Sequence, residues 1–363
     1  MKASIKVATI LGIPIKIHIS FLLILPLFVF VFSINPYPLG FSEITPNILN
    51  YVLSFLTAIF LFICVLLHEL AHSYVAMKYG VKISDITLLL IGGVSSMEEV
   101  PREPSQEAAM AFAGPLVSII IGFTLLLLNW ILVTLIPSIE GGALYTFLFI
   151  LGFINVILGI FNLIPAFPMD GGRLLRAWYA NKMNYVKATE QAASVGKMFA
   201  IFMGLFGLLI NPWLIIIALF VYIGASEEAK STTTSISLEN IKAKDIMSEN
   251  LISVPSSFNL EELQKFMLEK KHMGYLVSEN NEFIGVVTLT DVKKIHPTER
   301  IAFKVIDIMT PDVITIPSDA NASEAIKLMS SKQIGRVFVV EDGSIVGVLS
   351  RTDLIRALTF LKE

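Results

Sequence analysis

Charged residues are scarce in this sequence. Only 16% of the 363 residues are Asp, Glu, Lys or Arg, and 55% are hydrophobic, whereas a soluble globular protein has roughly 25% charged residues. The scarcity excludes an ordinary soluble protein and indicates one that is embedded in a membrane over part of its length. It is also uneven. Residues 20–34 and, beyond Glu107, residues 107–136 contain almost no ionisable side chains, while residues 239–300 have a soluble composition.

Cysteine and net charge are also scarce. The single cysteine, Cys64, lies in an apolar stretch, can form no internal disulfide, and neither supports nor excludes any compartment. The formal net charge of −3 is too small to indicate a nucleic-acid partner. No small-residue cleavage site follows the lysines and the apolar run at the N-terminus, so we expect a retained first membrane span rather than a signal peptide.

Long apolar runs are abundant instead. A helix needs about 20 mainly apolar residues to cross the hydrocarbon core of a bilayer. Four stretches are candidates for such a helix, at about residues 18–34, 51–77, 107–136 and 143–165. A fifth stretch, 196–226, contains Asn211-Pro212 at its middle, and a proline there cannot extend the preceding helix. The fifth stretch is therefore either one kinked helix or a hairpin of two short ones.

The distribution of Lys and Arg predicts the sidedness of the spans, because these residues flank cytoplasmic ends. The loops 35–50 and 137–142 contain neither residue and are expected outside. The basic residues that mark the inside are Lys2, Lys6, Lys16, Lys78, Lys82, Arg102, Arg173, Arg176, Lys182, Lys187 and Lys197. A hairpin at Asn211-Pro212 keeps the soluble C-terminal region in the cytosol. We therefore expect six spans, the last two short and buried between the others.

The second apolar run is interrupted by His68, Glu69 and His72. Residues i and i+4 lie on one face of a helix, so both imidazoles can bind one cation while Glu69 is near enough to act as a general base. The alternative is that the three side chains only pack against other helices. Ionisable groups at bilayer depth cost about 2.5–3.5 kcal/mol each on insertion scales and are functional by default, which favours a metal site.

A catalytic zinc site needs a third protein ligand, and Asp170 is the candidate. It follows Pro165 and Pro168, which end the fourth span, and an irregular backbone at membrane depth requires shelter by protein or a wet cavity. The alternative is that Asp170 caps a helix before Arg173. Asn162, one turn before the break, can donate to the oxyanion of a tetrahedral intermediate, or can satisfy backbone that Pro165 leaves unpaired.

The motifs HELAH at 68–72 and NLIPAFPMDGGR at 162–173 together resemble those of the site-2 protease family of intramembrane metalloproteases. The resemblance covers about residues 1–226. It implies one Zn²⁺ per chain held by His68, His72 and Asp170, with Glu69 as the base and Asn162 stabilising the transition state.

Residues 83–100 are rich in β-forming residues around the Gly92-Gly93 break. Such a segment suits a sheet edge that pairs with an unwound substrate. Its Ile91-Gly92-Gly93-Val94-Ser95-Ser96 run is similar to a family segment that forms membrane-embedded strands near the site. Gly92 and Gly93 are therefore candidate substrate-binding residues. Ala113-Gly114-Pro115 also resembles the family, and its small residues predict close helix packing.

The C-terminal region contains an internal repeat, 244–295 and 305–358, after a polar segment 227–243 that is typical of an irregular linker. Each copy starts with Asp-Ile-Met and ends in Gly-x-x-Thr/Ser-x-x-Asp. The final Thr/Ser and Asp residues are Thr288 and Asp291 in the first copy and Ser350 and Asp353 in the second.

This repeat resembles a tandem pair of cystathionine-β-synthase (CBS) domains, 244–300 and 301–363. The resemblance implies that Thr288, Asp291, Ser350 and Asp353 contact the phosphates and ribose of ATP, ADP or AMP, and that the pair forms a homodimer. The alternative is that the two aspartates only cap helices.

The sequence thus predicts an α-helical polytopic membrane protein with about six spans and a membrane-associated β segment, followed by a cytosolic α/β tandem CBS module. We expect a zinc-dependent endopeptidase of the cell membrane. Its substrate would be a single-span membrane protein, such as a signalling or anti-sigma-type regulator, and nucleotide on the CBS pair would modulate it. The main alternative is a CBS-regulated metal-ion transporter or channel. A further alternative is a pseudoprotease that only binds membrane helices, against which the intact Glu69 argues.

Overall fold

The computed structural model describes residues 4–89, 92–97, 101–239, 241–280 and 282–360. The chain divides into two compact units, Met1–Lys230 and Ser231–Glu363. Each unit has its own hydrophobic clusters.

The first unit is mostly helical. Its helices are α1 (Phe21–Ile34), α2 (Asn47–Lys78), α3 (Pro104–Leu135), α4 (Ala143–Asn162), α5 (Asp170–Ala180), α6 (Tyr185–Leu209) and α7 (Trp213–Ser237). Among the described residues, four of these are long and apolar enough to cross a membrane, namely α2, α3, α4 and α6. The predicted helical membrane architecture is confirmed. Of the six expected spans, helix α1 and the apolar part of helix α7 are shorter than the 18 apolar residues required of a membrane span.

The stretch 196–226 is a hairpin, as the proline indicated. Helix α6 ends at Leu209 and α7 begins at Trp213, and the side chain of Asn211 accepts a 3.0 Å hydrogen bond from the Trp213 amide. The expectation that these helices are short and buried was wrong. Helix α6 has 25 residues, and Leu209 near the turn is 85% exposed. Lipid is as apolar as these side chains, so the helices need no protein cover on this face.

The polar segment 227–243 is not an irregular linker over its first part, because α7 continues to Ser237. Ala225 and Ala229 pack in a cluster with Phe167, and Glu228 is bonded to Arg176. These contacts hold the helix just before the weak helix formers Ser231 to Ser235, and tertiary context overrides such a local preference.

A four-stranded sheet accompanies the helices of the first unit. Its strands, in spatial order, are β1 (Ser4–Ile10), β2 (Ile13–His18), β3 (Ile83–Leu89) and β4 (Gly92–Met97). The β segment after α2 was predicted, although residues 90, 91 and 98–100 of it lie outside the described residues. The N-terminal hairpin was not predicted. It is held by parallel pairing of β2 with β3, in which Ile15 lies opposite Ile86 and both are buried.

The second unit contains two copies of one α/β arrangement. The first copy comprises α8 (Ala243–Ile246), β5 (Ser253–Pro255), α9 (Leu260–Lys270), β6 (Gly274–Glu279), β7 (Glu282–Thr288) and α10 (Leu289–Lys293). The second comprises α11 (Val305–Ile308), β8 (Thr315–Pro317), α12 (Ala322–Ser331), β9 (Arg336–Glu341), β10 (Ser344–Ser350) and α13 (Arg351–Phe360). In each sheet a short parallel strand and an antiparallel partner flank the central strand. The bridges Ser248–Val348 and Val286–Thr310 join the two copies into one module, as the repeat predicted.

Helices α3 and α4 pack closely through glycine. A Cβ atom on Gly122 would lie 2.6 Å from Val156 Cγ2 and 2.8 Å from the Gly152 carbonyl oxygen. By contrast, a Cβ atom on Gly204 of α6 would meet only the Ala218 Cβ, at 3.6 Å. The first position has no room for a methyl group, and the second has.

We therefore expect Gly122→Ala to lower the free energy of unfolding by about 1–3 kcal/mol through overpacking against backbone. Gly204→Ala, the matched control, should be neutral or stabilising by up to about 1 kcal/mol because alanine favours the helix. Unfolding in detergent by heat or denaturant measures both. Equal stabilities of the two variants would contradict the close α3–α4 approach.

Candidate functional site

Three ligand-type side chains meet inside the first unit. His68 and His72 lie one turn apart on α2, and Asp170 is the first residue of α5. The Nε2 atoms of His68 and His72 are 3.1 Å apart. Asp170 Oδ2 lies 3.3 Å from His68 Nε2 and 3.2 Å from His72 Nε2. The histidines are 5% and 6% exposed. In the described part of the chain, these residues form a group that can hold a metal ion.

The other nitrogen of each imidazole is bonded to helix α3. His72 Nδ1 lies 2.7 Å from the Met110 carbonyl oxygen, and His68 Nδ1 lies 2.9 Å from the Ser118 hydroxyl. A carbonyl oxygen can only accept, so Nδ1 of His72 carries the proton and its Nε2 presents a lone pair. Such bonds to the outer nitrogen are what orients metal-binding histidines.

The space between the ligand atoms is kept open by Gly114 of α3. A Cβ atom there would lie 2.2 Å from Nε2 of His72 and 2.6 Å from Nε2 of His68. The small-residue segment around Gly114 thus allows the close approach that the sequence predicted, and what it approaches is the pair of imidazoles.

The donor set fits zinc. Two ligand atoms about 2.0–2.1 Å from a tetrahedral zinc lie about 3.3 Å apart, which is close to the three separations described above. Two neutral nitrogens with one carboxylate are also a typical catalytic set that leaves a fourth position open. Asp170 does not cap α5, because the N-cap residue is Met169 and the Asp170 carboxylate is directed to the histidines.

Glu69 lies beside this group rather than in it. Its Oε2 accepts a 3.1 Å hydrogen bond from the Ser95 hydroxyl of β4, and Ser95 lies 3.0 Å from the Ser73 hydroxyl. A Cβ atom on Gly93 would lie 2.4 Å from Glu69 Cγ, so strand β4 runs directly against this carboxylate. Gly92 starts the strand at φ +127°, a conformation that favours glycine. Gly93, which the sequence analysis proposed as a substrate-binding residue, thus lies beside Glu69. The contact of Ser95 with Glu69 was not predicted from the sequence.

Asn162 is the last residue of α4 and is not part of the three-residue group. Its Nδ2 donates a 3.0 Å hydrogen bond to the Leu158 carbonyl oxygen, four residues earlier. This contact lies within α4, whereas the carbonyl that Pro165 would leave unpaired is that of Phe161, which accepts a 3.2 Å hydrogen bond from the Ile164 amide. The turn after Asn162 carries Pro165 and Pro168 and leads to Asp170.

In the second unit, each repeat ends in the same side-chain arrangement. Asp291 Oδ2 accepts hydrogen bonds from the Thr288 amide at 3.0 Å and hydroxyl at 2.6 Å. Asp353 Oδ2 accepts equivalent bonds from the Ser350 amide at 2.9 Å and hydroxyl at 2.5 Å. Both aspartates therefore cap helix starts, which was the alternative to nucleotide contact, and the two roles are compatible because each carboxylate has a second oxygen.

The second oxygens differ between the repeats. Asp291 Oδ1 lies 2.8 Å from Lys294 Nζ, and hydrogen bonds from Lys294 and Thr288 hold the Asp291 pKa below its usual value although burial acts to raise it. Within the described residues, the hydrogen bonds of the Asp353 carboxylate are made by Oδ2. Asp353 also lines a cleft of about 600 Å³.

This cleft is basic. Its lining includes Ser350 and Asp353 from the second repeat and Tyr275 from the first. The basic side chains that line it are Lys271, His272, Arg336, Arg351 and Arg356. Tyr275 is 2% exposed and its hydroxyl has no hydrogen-bond partner among the described residues. Burial lowers the pKa of Arg336.

Comparison with known proteins identifies both units. The family model "Peptidase family M50" matches residues 56–139 and 131–205, and the model "CBS domain" matches 243–296 and 305–359. A zinc metalloprotease of Methanocaldococcus jannaschii is 42% identical over 363 residues, covering 100% of this chain and 98% of that protein.

Two further matches cover less of the chain. Stage IV sporulation protein FB of Bacillus subtilis is 30% identical over 168 residues, 46% of this chain and 55% of its own length. The solved structure of a site-2 protease from Methanocaldococcus jannaschii is 43% identical, with a TM-score of 0.42, over 62% of this chain and 95% of the solved chain.

We expect Gly114→Ala to abolish metal binding, because the added methyl group would occupy the space in front of both Nε2 atoms. The metal content of the purified protein, measured by elemental analysis, checks this. Gly204→Ala on α6, where the methyl group has room, is the matched control and should retain metal. Full metal content in Gly114→Ala would show that the ion does not lie between these atoms.

Proposed function

This chain belongs to the site-2 protease family, peptidase family M50, with a CBS pair at its C-terminus, and we propose that it hydrolyses peptide bonds within membrane-spanning segments of other proteins. The chain is a zinc metalloprotease of a membrane. The alternative of a metal-ion transporter or channel does not account for this family membership. The observation that carries the proposal is the meeting of His68, His72 and Asp170 beside Glu69 in a buried site among apolar helices.

In this proposal His68, His72 and Asp170 hold one zinc ion. When bound, zinc supplies Lewis-acid chemistry by acidifying a water molecule and polarising the peptide carbonyl. The residues of the chain do the remaining work. Ser118 and the Met110 carbonyl keep both imidazoles turned so that their Nε2 lone pairs converge.

Glu69 is the general base. The Ser95 hydroxyl bonds Oε2 and leaves Oε1 to take the proton of the attacking water and later give it to the leaving amine. The close approach of Gly93 restricts where the Glu69 side chain can lie. For Asn162, a rotation of the side chain frees Nδ2 from the Leu158 carbonyl and lets it donate to the oxyanion of the tetrahedral intermediate.

The substrate segment binds in extended form along β4. In the described sheet β4 lies at one end of the strand order, and it is the strand that contacts Glu69. An extended peptide can add to such an edge through main-chain hydrogen bonds. Gly92 and Gly93, which have no side chains, let the scissile bond approach the carboxylate.

The substrate class is a single-span membrane protein, such as a signalling or anti-sigma-type regulator. The distribution of Lys and Arg described above supports a cytosolic N-terminus and cytosolic CBS domains in the cell membrane. A helix must unwind locally before a protease can reach its backbone, so substrates with helix-weakening residues near the cleaved bond should be preferred.

The CBS pair binds an adenine nucleotide and thereby modulates cleavage. The basic cleft at Ser350 and Asp353 suits the phosphates and ribose, because five basic side chains line it together with the Asp353 carboxylate, whose hydrogen bonds within the described residues are made by Oδ2. At Asp291 the other oxygen, Oδ1, is held by Lys294. The cleft at the second repeat is therefore the main nucleotide site, and Thr288 and Asp291 contribute less to binding. Two chains pair through their CBS domains as a homodimer.

Glu69→Gln should abolish cleavage, by about 10²–10⁴-fold or more, while zinc content stays at one ion per chain because Glu69 is not a ligand. A detergent-solubilised single-span substrate and elemental analysis measure the two quantities. Glu190→Gln, an exposed change on α6, is the matched control and should cleave normally. Retained cleavage in Glu69→Gln would contradict the mechanism.

Asp353→Ala should weaken ATP binding by the full-length protein at least about tenfold, through lost contacts to the ribose, as expected for a charged partner of a polar ligand. Asp291→Ala, the equivalent change in the first repeat, should weaken it much less. Isothermal calorimetry with ATP and AMP measures both. Absence of binding to the wild-type protein would contradict nucleotide modulation, and equal effects of the two changes would contradict the choice of cleft.

A further inference from the structure

The side chain of Arg176 is a buried charge that the reaction described above does not use. It is 2% exposed, and it lies in α5, the helix that starts with Asp170. Its Nε and Nη2 atoms lie 2.8 Å and 2.6 Å from Glu107 Oε1, and its Nη1 lies 2.7 Å from Glu228 Oε1. Burying a charge costs desolvation free energy, which the pairs with Glu107 and Glu228 offset.

Helix α5 needs anchoring from outside itself. It has 11 residues, and its N-cap residue Met169 makes no capping side-chain bond. An isolated helix of this length is marginal, so its position depends on tertiary contacts. Gly171 fixes its first turn, because a Cβ atom there would lie 2.2 Å from the Ile164 carbonyl oxygen. Arg176 fixes its second half.

The partner of Arg176 lies on the same helix face that orients the two histidines. Glu107, Met110, Gly114 and Ser118 of α3 are spaced 3, 4 and 4 residues apart and are all buried, which places them on one face. Met110 and Ser118 bond the histidines, and Gly114 makes room in front of them. The Arg176–Glu107 pair therefore joins the helix of the third ligand to the helix that positions the first two.

The guanidinium group suits this task better than an ammonium group. It reaches Glu107 of α3 and Glu228 of α7 at once, and it lies over the rings of Phe167 and Tyr185, at 5.1 Å and 4.9 Å from their centroids. Phe167 belongs to the turn that leads into Asp170. A planar fork with several fixed donors holds such a geometry, whereas a lysine offers a point charge on a flexible chain.

We propose that Arg176 is a positioning residue for Asp170. Its pair with Glu107 sets the distance between the Asp170 carboxylate and the two imidazoles, and Glu228 holds the guanidinium in place from α7. The inference rests on the zinc ligands proposed above. It concerns metal affinity, which can be measured without any substrate.

The test compares zinc affinities of full-length variants in detergent by competition with a chelator of known affinity. The double variant E107Q/R176M removes both buried charges together, and Glu228, which loses Arg176 as its partner, is 32% exposed, so folding should be retained. We expect its zinc affinity to fall by about tenfold or more, the usual effect of losing a group that orients a ligand. The unfolding midpoint of the metal-free protein should stay near that of the wild type.

Two further variants complete the test. K182M removes a cation just after α5 that lies over the ring of the exposed Trp178, and as the control it should bind zinc like the wild type. R176K keeps the charge without the fork and should bind zinc more weakly than the wild type. It also serves if E107Q/R176M does not fold.

Wild-type affinity in E107Q/R176M or in R176K would overturn the role of Arg176. The variant D170A separates this from the ligand assignment. Lowered affinity in D170A alone contradicts only the positioning role, whereas unchanged affinity in D170A contradicts the proposed ligand set and the inference with it.

Discussion

The convergence of two imidazoles and one carboxylate inside the first unit is the interaction on which the rest of the structure depends. Two buried imidazoles and a carboxylate that is only 13% exposed are unfavourable unless something compensates their lost hydration. A bound cation would do so, and the donor separations of 3.1–3.3 Å suit zinc. The elements around these three side chains hold helix α2 and the start of helix α5 at the distance that brings the donor atoms together.

Helix α3 is central to that architecture. One face of it carries the carbonyl and hydroxyl groups that orient His72 and His68, the glycine that leaves room for an ion, and the glutamate that pairs with Arg176. Strand β4 approaches from another direction and bonds Glu69 through Ser95. Glu69 and the two histidines thus share helix α2 but are oriented by different elements, Glu69 by strand β4 and the imidazoles by helix α3.

Much of the site could be predicted from the sequence because its signals are local. Because residues i and i+4 lie on one face of a helix, the spacing of His68 and His72 predicts that they can bind one ion. The two prolines before Asp170 predict a break at the end of α4. The groups that support the ligands could not be predicted in this way. Which residue of α3 meets each imidazole depends on the packing register of two helices, and Arg176 and Glu107 are 69 residues apart. The N-terminal hairpin of β1 and β2 was not predicted because β2 pairs with β3, a strand that lies far from it in the sequence. The continuation of α7 was missed because contacts around Glu228 override weak local propensity.

The central claim is that one zinc ion is held by His68, His72 and Asp170. X-ray absorption spectroscopy at the zinc edge of the purified full-length protein tests it most directly. The account predicts one zinc per chain with only nitrogen and oxygen ligands, at about 2.0–2.1 Å, and a signal from two imidazoles. Absence of zinc, or a sulfur ligand at about 2.3 Å, which only Cys64 or a methionine could supply, would contradict it.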